Sequence, residues 1–436
     1  MNFFGREKEL QIMLDEQRLS EQSARFTIVM GRRRIGKTRL IQKSLEGKKH
    51  LYLLAKNELE GTYCTRLQSQ IAEELNIPIY GSFRNMRDVF EVLFTYATQE
   101  HLNLVIDEIQ EFFYVRKTIF ADMQELWDKH KDAMRINLIV CGSIYSLMRE
   151  LFEDRKQAMY GRLTRRLDLR GFSTAELKQI MRHNLPDYSN EDLLCLYALT
   201  GGVPKYVETL VDNQALTKSR MLRCFCDTSM LFVNEGVDLM NMEFRKDGVV
   251  YYSILSLIAE GKTSSGEIES VIKVSTGAYL KNLELNYALI EKKRPLLTSE
   301  RSQGVRYSIA DNFMLTWFRF IYPYQNLVQS NRTDKLLSII KNGYQQFVGT
   351  ILERWFIQKY REEGDFTQVG QWWDNKGGNE IDLMAIDSTS RSVTIAEIKN
   401  NKAKISLPLL EQKGEKIKSR LLRYRKQLIA LSIEEM

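Results

Sequence analysis

Short runs of consecutive apolar residues alternate with stretches of helical spacing over the first part of the chain. The runs are RFTIVM (25–30), HLYLLAK from His50, LNLVIDE (102–108), INLIVCGS (136–143) and RRLDLRGF near 165–172. Runs of this kind are typical of strands buried on both faces of a parallel sheet. Helical stretches that begin at Ser82 and Gln124 lie between them. The alternation predicts an α/β domain in which helices cover both faces of a parallel sheet.

The following stretch, from Thr174 to Glu243, carries apolar residues at helical spacing, as in EDLLCLYALT. Its TGGVPKY segment places Pro204 at the start of a helix, a position that proline tolerates because its missing N–H is not needed there. Short helices that bury one stripe against a sheet edge suit a helical lid.

A helix-turn-helix pattern comes next. An apolar helix (Tyr251–Ala259) is stopped by Gly261, a second helix opens at Ser264 or Ser265, and a third begins at Thr276. RPLLTSERSQGVRYSIAD then predicts two short strands around a polar turn. The segment is therefore predicted to be a winged helix.

Contact of this winged helix with DNA is one of two open interpretations. The third helix carries only Lys281 near its start, so direct reading of bases is poorly supported. Arg301, Arg306 and the Lys292–Arg294 stretch lie on the wing, where they are placed to contact phosphates. The alternative is a module that packs against a partner, and the aromatic stretch 310–326 likewise favours a packed core over a base-stacking platform.

The C-terminal region returns to alternating strands. An amphipathic helix from Asn342 carries Glu353 and is followed by the strand-like FTQVGQWWD, a turn at 375–378, NEIDLMAID (379–387) and SVTIAEIKN (392–400). A basic helix and the apolar LIALSI complete the chain. The predicted order is helix, three strands, helix, strand.

Length and composition agree with this division. A chain of 436 residues with 44% hydrophobic and 27% charged residues fits a globular protein of about two to four domains. The patterns divide it into four predicted segments, namely residues 1–172, 173–243, 244–325 and 326–436.

Charge and cysteine content indicate the cellular compartment but do not identify a binding partner. The formal net charge is +7, and a basic run between Asn401 and Met436 is either a solvated helix face or a phosphate-contacting surface. Five cysteines without CxxC spacing favour a reduced, cytoplasmic chain. The sequence lacks an apolar signal core at its start and any run long enough to span a membrane, so no membrane association is expected.

The GRRRIGKT stretch has the chemistry of a phosphate-binding loop. It joins a buried strand to a helix, which is the context that GxxxxGK[ST] requires. Its glycines let backbone N–H groups converge on phosphate, Lys37 reaches the β and γ oxygens, and Thr38 offers a hydroxyl to Mg²⁺. The predicted ATP-binding residues here are Gly31, Arg32, Arg33, Arg34, Ile35, Gly36, Lys37, Thr38 and Arg39.

Acidic residues at the end of the LNLVIDE strand complete this site. Asp107 is placed to hold Mg²⁺ through water, and Glu108 is placed to polarise the attacking water. Ser143, at the end of a neighbouring strand, is either a sensor of the γ-phosphate beside Asp107 or part of a plain strand-end turn. The sequence therefore predicts an ATPase that uses ATP and Mg²⁺.

The order of several motifs resembles a prokaryotic family, the AAA+/STAND-like ATPases of archaeal type, related to origin-recognition and signalling NTPases. The motifs are FFGREKEL (3–10), GRRRIGKT, LVIDE, the CGS strand end, YGRLTRR (160–166) and TGGVPKY (200–206). The resemblance implies an ASCE/AAA+ parallel sheet, with Gly5 and Arg6 near the adenine and Pro204 in a lid over the nucleotide. It also implies an arginine finger among Arg162, Arg165 and Arg166, of which Arg162 is the choice, because Leu163 stands where relatives usually have an arginine. The alternative is that all three arginines are solvated at the sheet edge.

The C-terminal order resembles the core of PD-(D/E)xK nucleases, a restriction-endonuclease-like α/β fold. The resemblance implies that Asp382 and Glu397 bind a divalent metal and that Lys399 orients the nucleophile, which is what Mg²⁺-assisted phosphodiester cleavage requires. Because side chains alternate along a strand, Glu397 and Lys399 share a face, and Glu353 is a candidate third carboxylate. The alternative is an exposed cross-strand ion pair.

Two functions from different classes follow. The first is an ATP-driven switch coupled to a domain that binds and processes nucleic acid, with DNA as the expected partner. The second is a signalling or scaffold NTPase whose C-terminal domain is inactive and binds a protein, with ATP-dependent homo-oligomerisation as its mark. A small-molecule kinase is disfavoured because the residues after the sheet would have no role.

Overall fold

A computed structural model describes residues 4–244, 248–298, 304–374, 378–417 and 421–436. The chain forms two compact units, Gly5–Arg170 and Gly171–Met436, the second including Phe4. The predicted wing residue Arg301 and most of the predicted turn at 375–378 lie outside the described residues.

The first unit is a parallel five-stranded sheet with helices between its strands. The strands are β1 (Arg25–Met30), β2 (Leu51–Leu54), β3 (Leu102–Asp107), β4 (Ile136–Cys141) and β5 (Arg165–Asp168). The helices are α1 (Glu7–Leu19), α2 (Lys37–Ser44), α3 (Glu60–Leu75), α4 (Met86–Gln99), α5 (Phe112–Val115), α6 (Ile119–His130) and α7 (Tyr145–Glu153).

The strand order β2-β3-β4-β1-β5 is that of a P-loop ATPase-like sheet, and every neighbouring pair is parallel. Strands β3 and β4 are buried at every position, as expected for continuous apolar runs between two helical layers. The prediction of a parallel α/β domain with five strands is confirmed. Because the carboxyl ends of parallel strands meet at one edge, the ends of β1, β3 and β4 deliver their polar residues to the same place.

The second unit opens with helices and a short hairpin. The helices are α8 (Thr174–Asn184), α9 (Asn190–Thr200), α10 (Pro204–Asp212), α11 (Lys218–Cys226), α12 (Phe232–Phe244), α13 (Gly248–Ala259), α14 (Ser265–Ile272) and α15 (Gly277–Leu285). The hairpin pairs β6 (Ile290–Lys293) with β7 (Arg306–Ile309) in antiparallel fashion. Three helices and a two-stranded hairpin therefore occur in the order that the pattern predicted.

Helix α16 (Asn312–Phe320) carries the aromatic stretch into the core of this unit. Phe313, Trp317 and Phe318 are fully buried, and the Trp317 indole N–H donates to the Val233 carbonyl at 2.9 Å. Side chains held in this way are packing residues. They are not available to stack on bases.

The remainder of the second unit is a sheet between helices. Its elements are α17 (Gln325–Gln329), α18 (Thr333–Glu362), β8 (Gln368–Trp373), β9 (Glu380–Asp387), β10 (Ser392–Ile398), α19 (Leu407–Glu415) and β11 (Arg425–Leu431). The order in the sheet is β11-β10-β9-β8, with β8, β9 and β10 antiparallel and β11 parallel to β10. The predicted order of helix, three strands, helix and strand is observed.

The β6–β7 hairpin packs against strand β8, an arrangement called here the hairpin contact. The Arg306 guanidinium donates to Glu380 at 2.9 Å and lies over the Trp373 ring, 4.4 Å from its centroid. The Leu296 N–H donates to the Gln371 carbonyl at 2.8 Å. The Arg306 guanidinium therefore has partners inside the unit, and its contact with phosphates stays a prediction.

Candidate nucleotide site and C-terminal carboxylate site

The loop between β1 and α2 has the backbone geometry of a phosphate cradle. Gly31 and Gly36 have φ of 148° and 89°, backbone values that residues with a Cβ rarely adopt. A Cβ on Gly31 would also lie 2.9 Å from the Ile35 side chain and from the Leu169 carbonyl. Glycine is thus required at Gly31 by conformation and by space.

Lys37 is buried beneath this loop and donates to the carbonyls of Gly31 at 2.9 Å and Arg32 at 3.2 Å. Burial lowers the pKa of Lys37, and the negative charge of Glu108 opposes that shift. Among the described residues, the hydrogen-bond acceptors of this amine are these two backbone carbonyls. Phosphate oxygens are stronger acceptors for an ammonium, so the residues present fit a nucleotide phosphate.

Asp107, at the end of β3, is the most heavily bonded acid of the first unit's site. Its Oδ2 accepts from the Thr38 hydroxyl at 3.2 Å and from the Tyr52 hydroxyl, and its Oδ1 accepts from the Glu108 N–H at 2.9 Å and the Cys141 thiol at 2.8 Å. Burial, and then the hydrogen bond to Asp107, raises the pKa of Tyr52, while burial raises that of Cys141. Both groups therefore stay protonated donors.

Glu108 follows in a left-handed conformation, with φ of 52°, which turns its side chain toward the end of β4. One carboxylate oxygen accepts from the Gln110 amide at 2.6 Å and the Ser143 N–H at 3.0 Å, and the other accepts from the Ser143 hydroxyl. The structure thus brings Ser143 to Glu108. Its bonds are to Glu108 and not to Asp107, beside which the sequence analysis expected it.

The N-terminal box also reaches the loop. Arg6 is buried and donates to the Ile35 carbonyl at 3.3 Å, to the Arg170 carbonyl and to Glu9. Gly5 precedes it with φ of 64°. In this structure Arg6 therefore stabilises the phosphate loop through its bond to the Ile35 carbonyl, a role that the motif alone did not indicate.

The other predicted residues of the nucleotide site lie as follows. Arg32, Arg33 and Arg34 are partly buried on the loop, and Thr38 and Arg39 are exposed on the first turn of α2. The Arg162 guanidinium forms an ion pair with Asp128 at 2.6 Å. Pro204 is the first residue of α10, in the second unit.

In the second unit, Asp382 and Glu397 both lie close to the amine of Lys399. Lys399 Nζ lies 3.2 Å from Asp382 and 3.6 Å from Glu397, both of which are buried. Strand pairing explains the approach, since Leu383 lies opposite Ala396 in an antiparallel pair, and Asp382 directly precedes Leu383 while Glu397 directly follows Ala396. Asp382 also accepts from the Ile398 N–H at 2.8 Å. The predicted triad is therefore assembled.

Glu353 joins the same neighbourhood from α18. It accepts from the Gln371 amide at 3.1 Å. Burial, together with the negative charges of Asp382 and Glu380, raises the pKa of Glu353 to about 8. A carboxyl with this pKa is largely protonated at neutral pH, so it adds little negative charge to the site.

Two lysines near this site were missed by sequence reasoning. Lys413, on α19, lies 3.4 Å from Glu397. Lys293 lies at the end of β6. Burial and the nearby positive charge of Arg354 lower the pKa of Lys293 to about 8, and the negative charge of Glu353 partly opposes this shift. Within the described ranges, no group of three or more His, Cys, Asp or Glu side chains is placed to hold a metal ion. The three-carboxylate set of Glu353, Asp382 and Glu397 is thus not preformed; the two paired acids are balanced by amines.

The sheet order and the loop define a P-loop ATPase-type domain. Residues 3–210 match the family model described as an ATPase domain predominantly from Archaea. Residues 317–417 match the model described as archaeal and bacterial proteins of unknown function.

Similar proteins agree with the fold. An uncharacterized protein of Methanocaldococcus jannaschii is 27% identical over 414 residues, which cover 91% of this chain and 87% of that protein. The solved Walker-type ATPase of Pyrococcus abyssi is 21% identical, covers 73% of this chain and 96% of its own, and superposes with a TM-score of 0.54. In the part of the chain that the structure describes, no helix has the length and apolar character needed to cross a bilayer.

Proposed function

We propose that the chain is a cytoplasmic ATP-dependent switch that binds and hydrolyses ATP in its first unit and thereby controls a C-terminal domain acting on DNA. The observation that carries the proposal is the arrangement around the phosphate loop. Lys37 lies under the loop, Thr38 bonds Asp107, and Glu108 follows directly, all at the carboxyl edge of the sheet.

The residues divide the work of phosphoryl transfer. Lys37 exchanges loop carbonyls for β and γ oxygens, and Glu108 orients the attacking water once Ser143 shares its hydrogen bonds with the γ-phosphate. Thr38 and Asp107 would hold Mg²⁺, which supplies charge neutralisation to the phosphates. Gly5 and Arg6 near the adenine, Pro204 in a lid and Arg162 as a finger belong to the proposal as well.

The C-terminal domain is proposed to be a metal-dependent nuclease adjoining a winged helix. Asp382 and Glu397 offer two carboxylates to a divalent cation, Glu353 is within their electrostatic reach, and Lys399 is within hydrogen-bonding reach of Asp382, where it can orient a water or a phosphate oxygen. The antiparallel β9–β10 pair with a following helix and parallel strand supports this proposal.

The test is cleavage of labelled single-stranded DNA, double-stranded DNA and RNA with Mg²⁺ or Mn²⁺. Asp382→Ala should abolish cleavage while ATP hydrolysis stays at the wild-type rate. Asp387→Ala is a matched control, because Asp387 lies at the far end of the same strand and its carboxylate bonds the adjacent turn at Thr389 and Ser390. If wild-type protein cuts none of these substrates with either metal, the nuclease assignment is wrong.

One observation favours a second candidate, a scaffold NTPase with a silent C-terminal domain that binds a protein. Asp382 and Glu397 are already compensated by Lys399 and Lys413, as in a structural ion-pair network. This candidate predicts a homo-oligomer on ATP addition, seen by light scattering, without salt-sensitive affinity for DNA. Salt-sensitive DNA binding would count against it.

A further inference from the structure

Asp107 is surrounded by donors from three different elements and from the backbone of the residue that follows it. On Oδ2 the donors are the Thr38 hydroxyl from α2 and the Tyr52 hydroxyl from β2. On Oδ1 they are the Glu108 N–H and the Cys141 thiol from β4. A carboxylate has about four lone-pair directions, so the chain alone satisfies this one.

The four donors do not have the same freedom. Thr38 is exposed on the phosphate loop's helix and is itself a predicted Mg²⁺ ligand, so its hydroxyl has a second task. The Glu108 N–H and the Cys141 thiol both hold the opposite oxygen. Tyr52 is thus the donor on Oδ2 that comes from outside the loop.

Tyr52 is anchored well for this purpose. Strand β2 pairs with β3 so that Tyr52 lies opposite Val105 and Leu54 lies opposite Asp107. The phenol must therefore reach two residues along the sheet, about 7 Å, a span that suits a tyrosine side chain. The Tyr52 carbonyl accepts from the Gln70 amide of α3 at 2.9 Å, which fixes this edge strand to its covering helix.

We propose that Tyr52 is a positioning residue for the proposed ATPase, holding Asp107 Oδ2 in the orientation that receives hydrated Mg²⁺. The inference rests on the proposed ATP-binding function and adds a residue outside its motifs. A carboxylate whose hydrogen bonds are all on one oxygen can rotate about its last side-chain bond, because the torsion angle there has a broad, two-fold distribution. Tyr52 removes that freedom before the cation arrives.

The experiment compares Tyr52→Phe with wild type by calorimetric titration of a non-hydrolysable ATP analogue, with Mg²⁺ and with EDTA. We expect affinity in EDTA to stay within about two-fold and the Mg²⁺ concentration for half-maximal binding to rise about ten-fold, the effect of losing one hydrogen bond to a charged group. The same rise is expected in the Mg²⁺ dependence of ATP hydrolysis.

Tyr63→Phe is the matched control. Tyr63 lies on α3 and its hydroxyl donates to the Leu54 carbonyl of the same strand at 3.0 Å, so it tests removal of a phenol that does not touch Asp107. We expect wild-type Mg²⁺ dependence for this variant. Thermal unfolding without nucleotide checks that both variants are folded.

Three outcomes would overturn the inference. In the first, Tyr52→Phe leaves the Mg²⁺ half-point unchanged. In the second, it weakens binding equally in Mg²⁺ and in EDTA, which indicates a general role in strand β2. In the third, wild type itself fails to bind the analogue, and the proposed ATP-binding function falls with the inference; the wild-type arm alone distinguishes this result from the first two.

Discussion

The nucleotide site and the C-terminal carboxylate site both combine two acids with a lysine, but they neutralise the acids differently. Asp107 and Glu108 accept hydrogen bonds from hydroxyl, thiol, amide and N–H donors, all of them uncharged. Asp382 and Glu397 instead pair with the Lys399 amine, and Lys413 adds a second amine. The first site keeps its negative charge, whereas the second is balanced within the fold.

This difference determines what each site does with a cation. Because these donors are uncharged, Mg²⁺ binding at Asp107 and Glu108 would break no ion pair with them, which favours the proposed metal site there. In the second site a divalent cation competes with ammonium groups that already compensate the acids. The nucleotide site is thus expected to bind its metal readily, and the C-terminal site only when an amine moves aside.

The largest effect is expected at the nucleotide site. Lys37→Ala removes the amine beneath the phosphate loop and should lower ATP turnover by about 10²–10³-fold, with ATP binding lost in calorimetry. Lys43→Ala is the control, since Lys43 lies at the end of the same helix, exposed and paired with Glu46. Equal activity of the two variants would mean that the loop is not the site of hydrolysis.

The contrast in charge is tested directly by Lys413→Met. Removing this amine should strengthen Mn²⁺ binding to the nucleotide-free protein by about five-fold, because Glu397 loses one of its two compensating charges. Mn²⁺ relaxation of water protons gives the affinity, with Asp382→Ala as the reference for a disabled site.

Lys416→Met is the matched control for Lys413. Lys416 is exposed at the end of the same helix and changes the net charge by the same amount. If both variants bind Mn²⁺ equally well, bulk charge and not the Glu397 pair limits the metal. The contrast between the two sites would then lose its basis.

A smaller effect is expected from Glu353. The folded state raises its pKa from an ordinary value of 4.5 to about 8, so it favours the neutral acid. The stabilisation from this group is complete below pH 4.5 and is lost as the pH rises to 8. Between pH 5 and 9, the thermal midpoint of wild type should therefore fall by about 2–4 °C more than that of Glu353→Gln. Glu363→Gln, at the exposed residue that directly follows the same helix, should behave as wild type.

The sequence predicted the nucleotide site because its chemistry is concentrated in short contiguous stretches. A buried strand, a glycine loop and a lysine at fixed spacing imply one backbone geometry, and parallel pairing then brings Asp107 to the same edge. The C-terminal triad was also reachable, since alternation along β10 places Glu397 beside Lys399. In both cases a local rule determines the contact.

The rest depends on how separate elements pack, which no local rule contains. Tyr52 reaches Asp107 from a neighbouring strand, and Lys413 reaches Glu397 from a helix packed on the sheet. Sequence reasoning predicted a phosphate contact for Arg306 from its place on a hairpin, but it did not predict the residues that Arg306 contacts within the fold. These partners, Glu380 and Trp373, lie about 70 residues later, a pairing that a single sequence does not reveal.

The hairpin contact also decides where this chain tolerates being divided. Trp373 is covered by Arg306, and its indole N–H donates to the Gly304 carbonyl at 2.9 Å. A recombinant fragment beginning after α17 would bare this ring and leave an apolar edge open to aggregation. A fragment that starts near Gly248 keeps the ring covered. Gene rearrangements that keep the β8–β11 sheet together with the β6–β7 hairpin should therefore be retained in evolution, whereas rearrangements that separate them should be lost.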